Sequence, residues 1–165
     1  LPHVGAVGAK LLYPGETLVQ HAGVLNLEDG PGHALLNQHR DHPGYFMRNL
    51  LEYNWLAVTG ACLMVERSKF EVIGGFAECL PMAYNDIDLC MRFRDAGYYN
   101  VVVQAVSLTH HESVSRGLDH LDPTKMARLK QERAHLYERN PRYFQYDPFH
   151  NPNLHPNGIN FEVPA

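Results

Sequence analysis

The first apolar stretch, Val4 to Leu12, is made of small and branched residues and breaks at Tyr13-Pro14-Gly15-Glu16. That is the pattern of a strand running into a turn. Leu18 to Leu27 predicts a second, shorter strand pair. From Glu28 to Gly44 the residues change to Gly, Pro, His and Asn, and a long surface loop is expected there rather than a core element. Apolar residues resume over Leu56 to Val65, a run that contains Thr59 and Gly60. It is too short and too polar for a bilayer span, so a buried strand is expected. A short helix from about Ser68 to Ile73 follows, with Gly74 placed to cap it in the left-handed conformation. Residues 85 to 96 predict another helix, with Asn85 or Asp86 as N-cap, Ile87, Cys90 and Met91 on its apolar side, and Gly97 just past its end.

Val101 to Thr109 alternates as a half-buried strand does. The clearest helix opens at Asp122-Pro123 and carries Met126, Leu129, Leu136 and Tyr137 near a 3.6 period until Asn140-Pro141 stops it. Beyond that the chain is rich in Pro and Asn, has no period, and is expected to wrap the surface. Strands alternating with helices make an α/β domain.

Composition narrows this picture. The chain has 165 residues, enough for one domain with a sizeable core, and a net charge of -4 with no long basic run, which argues against a nucleic-acid surface. Cys62, Cys79 and Cys90 lack C-x-x-C spacing, so reduced thiols and a cytosolic setting are expected rather than a disulfide framework. The sequence opens at Leu1 without a methionine and enters an apolar segment almost at once, as a piece of something longer would.

The chemistry concentrates after the glycine pair. Gly74-Gly75-Phe76 precedes Asn85-Asp86-Ile87-Asp88, which sets two carboxylates at the start of a helix. Asp86 is placed to accept a proton from a hydroxyl, or simply to cap the helix. Asp86-x-Asp88 also has the spacing with which two carboxylates hold a divalent cation against a diphosphate, a pattern common enough to be weak alone. His110 and His111 end an apolar strand, so at most one shares a face with Asp86. A neutral imidazole there suits Mn²⁺ or a similar ion, and the alternative is a solvent-facing histidine beside a satisfied, half-buried one. The other histidines show no ligand spacing and are given no role. Glu112, Ser113, Ser115, Arg116 and Gly117 suit a loop that closes over a phosphate or sugar, or an ordinary solvated loop. Arg92 and Arg94 read as surface charges that pair with Asp88 or Asp95.

Taken in order, these motifs resemble one family. Gly74-Gly75-Phe76, Asn85-Asp86-x-Asp88-Leu89-Cys90-x-Arg92 and Ala96-Gly97-Tyr98 are similar to the acceptor-side half of inverting family 2 glycosyltransferases with a GT-A fold, a Rossmann-related architecture. Upstream, the similarity extends through residues 4–14, Gln20-His21-Ala22-Gly23 and Thr59-Gly60-Ala61-Cys62-Leu63-Met64-Val65. Downstream, His110-His111-Glu112-Ser113, Ser115-Arg116-Gly117 and residues 147–154 resemble the bacterial branch that builds surface polysaccharides.

The resemblance implies that residues 1–145 form the acceptor-side catalytic part of a GT-A domain, a partial α/β domain with a mixed sheet flanked by helices, and 146–165 an irregular C-terminal extension. It implies Asp86 as catalytic base, with Asn85 standing where the family has Glu. Thr59, Gly60, Ala61, Asn85 and Asp88 would line the donor sugar and acceptor. His110, in preference to His111, would help bind the metal or diphosphate, and Ser113, Ser115 and Arg116 would close over the diphosphate. A nucleotide-sugar donor, a glycan or lipid-linked acceptor and Mg²⁺ or Mn²⁺ are implied for the whole protein, working in the cytoplasm or at the inner membrane face. The nucleotide-binding half and its own D-x-D would lie before Val4. A chain without them is expected to show little transfer and to self-associate through an uncovered sheet edge, which light scattering would reveal. Two rivals remain from the residues alone: a non-catalytic carbohydrate- or partner-binding module, and a metal-dependent hydrolase with His110, Asp86 and Asp88 as ligands.

Overall fold

A computed structural model describes residues 1–111 and 123–164. The predicted diphosphate loop, Glu112, Ser113, Ser115, Arg116 and Gly117, lies outside the described residues.

The strands are β1 (Val4–Leu12), β2 (Val19–His21), β3 (Val24–Leu27), β4 (Gly30–His33), β5 (Tyr53–Trp55), β6 (Leu63–Val65) and β7 (Tyr99–Thr109). The helices are α1 (Arg67–Ile73), α2 (Asn85–Asp95) and α3 (Pro123–Arg139). β1 is the centre of a five-stranded mixed sheet: β7 runs parallel along one edge, while β2 and β6 pair antiparallel along the other, and β5 pairs antiparallel with β7. The mixed α/β class read from the sequence is therefore the class observed. Ala9 pairs with Val103 but Lys10 pairs with Ser107, so Gln104, Ala105 and Val106 form a bulge in β7.

α2 packs on the sheet because Gly5 of β1 has no side chain; a Cβ there would stand 2.8 Å from the Phe93 ring and Cβ. Ile87, Leu89, Cys90, Met91 and Phe93 are all buried, and the Ile, Leu, Met and Phe side chains each contribute about 1.5–3 kcal/mol on leaving water. Asn100 ties the layers together: its amide donates to Leu56 O at 2.8 Å and Cys90 O at 3.0 Å, and its carbonyl accepts from Ala6 N at 3.2 Å.

Four expectations need correction. The Gly- and His-rich stretch from 28 to 44 is not simply a surface loop: it contains β4, which pairs with β3, and buries Ala34 and Leu35. Leu18 to Leu27 does hold two strands, but β2 pairs with β1 and β3 with β4, not with each other. The apolar run from Leu56 to Val65 is not one strand: Leu56, Ala57 and Val58 are buried, a single 3-10 turn covers Gly60–Cys62, and β6 follows. The Thr59 side chain accepts from Ala61 N at 3.4 Å and starts that turn, a local hydrogen bond that competes with a ladder. The C-terminal stretch does more than wrap the surface, since Leu154 and Phe161 enter the same core as the sheet.

A clasp holds this last segment. Asp147, 6 % exposed, accepts from Asn26 N at 2.8 Å and Phe149 N at 2.7 Å, and burial pushes its carboxyl up to about 6. The Arg48 guanidinium lies over the rings of Tyr53, Trp55 and Phe161 at 4.8–5.1 Å and donates to Phe149 O.

Candidate active site

α1 ends where the sequence places it, at Gly74 with φ 86°, the left-handed conformation that glycine adopts without penalty. The chain then turns through Gly75 and Leu80 and enters α2. The N-cap is Tyr84, not Asn85 or Asp86, and it too is left-handed, with φ 60° and ψ 4° and no side-chain cap bond. Asn85 and Asp86 are thus the first two helical residues, and neither is the cap residue.

That carboxylate reaches across to the turn after β5. Asp86 Oδ2 accepts from Gly60 N at 2.6 Å and Oδ1 accepts from Ile87 N at 2.9 Å. The fit is close, because a Cβ on Gly60 would lie 3.4 Å from Oδ2. Asp86 is half-buried and Gly60 and Ala61 are exposed, so the carboxylate stands at a surface reached from solvent, with small residues beside it. The structure thereby brings Thr59, Gly60, Ala61 and Asp86 together, with the half-buried Asn85 next in sequence.

Asp88 is oriented the other way. It is 0 % exposed, and its Oδ2 accepts from Arg92 at 2.8 Å while its Oδ1 accepts from Arg139 at 3.0 Å and Asn140 at 2.8 Å. Arg92 is not a surface charge: with its other nitrogens it donates to Ile73 O at 2.7 Å and Gly75 O at 2.6 Å. Asp88 thus links α2 to the end of α3 and, through Arg92, to the Gly74-Gly75 loop. Asp86 and Asp88 do not converge on a common point, and the two oxygens of Asp88 face protein donors.

His110 sits at the end of β7, where its Nδ1 lies 2.8 Å from Gln20 Oε1 of β2. Since that oxygen only accepts, Nδ1 donates, which leaves Nε2 outside this bond. His111 is exposed. No hydrogen bond or ion pair joins either histidine to Asp86 among the described residues, and no three His, Cys, Asp or Glu side chains among them gather as a metal site. Ser113, Ser115 and Arg116 fall in the segment outside the described residues.

Two residues that local pattern left without a role support the site. His21, fully buried, accepts from Thr59 N at 3.5 Å through Nε2, and its Nδ1 lies 3.0 Å from Nδ1 of the exposed His33. Burial first, and the neighbouring His33 second, hold the His21 imidazole well below its ordinary range, so it is neutral. Glu132 of α3 accepts from Ala83 N at 2.6 Å and Met82 N at 3.3 Å, directly before the turn into α2. The sequence marked His21 through the Gln20-His21-Ala22-Gly23 segment of the resemblance, with no role attached, and Glu132 as an acid inside the apolar period of α3.

The chain is similar to much longer proteins. It is 46% identical over 93% of its length to an uncharacterized protein, y4gI, of Sinorhizobium fredii, matching 17% of that protein. It is 39% identical over 72% of its length to the O-antigen biosynthesis protein RfbC of Myxococcus xanthus, matching 9% of it. Over 39% of its length it is 42% identical to N-acetylglucosaminyl-diphospho-decaprenol L-rhamnosyltransferase of Mycobacterium tuberculosis, matching 20% of that enzyme. The chain thus spans a fifth or less of the curated relatives it matches. No family model and no solved structure matches it. No helix among the described residues is long and apolar enough to cross a membrane.

Proposed function

We propose that this chain is the acceptor-side part of an inverting glycosyltransferase of GT-A type that moves a sugar from a nucleotide-sugar donor to a hydroxyl of a glycan or lipid-linked acceptor, in bacterial surface-polysaccharide synthesis. The observation that carries the proposal is the Asp86 carboxylate, half-exposed and held by the Gly60 N–H at the mouth of the Thr59-Gly60-Ala61 turn. Similarity to an O-antigen biosynthesis protein and to a rhamnosyltransferase supports the reaction class.

In this mechanism the acceptor hydroxyl lies on Asp86. Its proton passes to the carboxylate as the oxygen bonds to the anomeric carbon from the face opposite the diphosphate, and the bond to the diphosphate breaks with its electron pair. Two backbone donors fix the carboxylate in advance, so little reorganisation accompanies the transfer. A positioned base of this kind contributes about 10²–10⁴-fold to rate. Asp88 serves this role at one remove, by fixing α2.

Mg²⁺ or Mn²⁺ remains the proposed cofactor of the whole protein, but the described residues do not make a site for it. His110 offers one ligand through Nε2, and the rest must come from elsewhere, as must the nucleotide pocket. The proposed place of work is the cytoplasm, or the inner membrane face when the acceptor is lipid-linked.

Calorimetric titration of UDP and dTDP, with and without Mn²⁺, into this chain and into a form extended upstream by about a hundred residues tests the division of labour. Metal-dependent binding by the extended form alone is expected. Metal-dependent binding by the short chain would mean that the Asp86 neighbourhood holds the diphosphate itself, and Asp86 could not then be the base.

A further inference from the structure

The turn into α2 is held in a conformation its residues do not favour. Tyr84 lies in the left-handed region, uncommon for a bulky side chain, and it is the residue before Asn85-Asp86. Such a turn persists only when its surroundings over-determine it. One contact comes from inside the turn, where Asp88 N donates to Tyr84 O at 2.8 Å. The other comes from α3: Glu132, 3 % exposed, accepts from both Met82 N and Ala83 N through one carboxylate oxygen. Burying a carboxylate is costly unless it is paired and hydrogen-bonded, and Arg128, 3.7 Å from the other oxygen, only part-compensates it. Packing alone would be served better by an apolar residue.

We infer that Glu132 is a positioning residue for Asp86: it fixes the strained Tyr84 turn and so aims the carboxylate at the Gly60 N–H. The inference rests on the assignment of Asp86 as the proton acceptor. Asp88 with Arg139 and Asn140 forms a second tie from the far end of the same helix, so α3 grips both ends of the segment that carries the base.

The test reads the Gly60 amide in the whole chain by NMR hydrogen exchange, together with the Asp86 side-chain carboxyl signal. Glu132→Ala should speed Gly60 exchange at least tenfold and shift the Asp86 carboxyl, with amides of the β1 and β7 ladder unchanged. Glu132→Gln, which keeps one acceptor oxygen, should fall between. Tyr84→Gly removes the strain the carboxylate opposes, so in that background the Gly60 amide should no longer respond to Glu132→Gln. That arm stays readable if Glu132→Ala does not fold. Faster exchange at Met82 and Ala83 with no change at Gly60 or Asp86 would overturn the inference, leaving Glu132 a purely local anchor. In the longer protein, Glu132→Gln should lower kcat with KM held. Undiminished transfer by Asp86→Asn would remove the base assignment, and with it the positioning role, while the amide result would still report the mechanical link.

Discussion

The two sides of the first turn of α2 carry the same functional group to opposite ends. On the side facing the Thr59-Gly60-Ala61 turn, Asp86 is half-exposed and bonded to two backbone amides. On the side facing α3, Asp88 is sealed from water and takes three side-chain donors, two of them cationic. The difference shows how a site is built: one carboxylate is anchored so firmly that its neighbour two residues away can be offered to solvent in a fixed direction. An Asp-x-Asp string is read in sequence as one feature, whereas in the fold it is two.

The sharpest way to break this contrast is to truncate each acid. Asp88→Ala leaves Arg92 and Arg139 without their buried counter-charge and should cost about 3–5 kcal/mol of stability in urea unfolding. Asp86→Ala removes two partly exposed backbone contacts and should cost about 1–2 kcal/mol. Equal losses would mean that both acids are structural.

The clasp at the C-terminal segment gives a smaller effect than Asp88→Ala. Asp147→Asn can accept with only one oxygen and turns an N–H toward a backbone N–H, so about 1–3 kcal/mol of stability should be lost. The pH response has a definite sign. The folded Asp147 carboxyl sits near 6 against an ordinary value of 3.8, so between those values the folded state binds more protons and stability falls as pH rises. His21 runs opposite: its folded imidazole is depressed below 6.5, so the unfolded chain binds more protons and stability falls as pH drops below 6.5. Thermal unfolding of His21→Gln between pH 4.5 and 7, compared with the wild type, should therefore lose the acid-side destabilisation that His21 contributes. An unchanged profile would mean that His21 is not held neutral behind Thr59.

Much of the frame was legible in the sequence for physical reasons. β1, α1 with its left-handed Gly74, α2 and α3 each follow from local periodicity and end signals, which depend on residues a few positions apart. β4 was hidden because Gly30, Pro31 and Gly32 carry no strand preference and form a strand only by pairing with β3. Tyr84 displaced the expected Asn or Asp cap because contacts from Glu132, some fifty residues away, fix the turn. Asp88 could not be told from Asp86 by spacing; its partners Arg139 and Asn140 are equally distant in sequence. Leu154 and Phe161 were missed because isolated apolar residues in a Pro- and Asn-rich stretch have no period to reveal them.

The most direct test of the central claim is sugar transfer by the full-length protein, wild type against Asp86→Asn, across a panel of UDP- and dTDP-linked sugars, with the anomeric configuration of the product read by NMR. An inverted product is expected, with a loss of about a thousandfold or more in the variant, on the scale of a general base that also orients the nucleophile, and nucleotide binding intact. Retained configuration, or transfer that survives the substitution, would contradict the central claim.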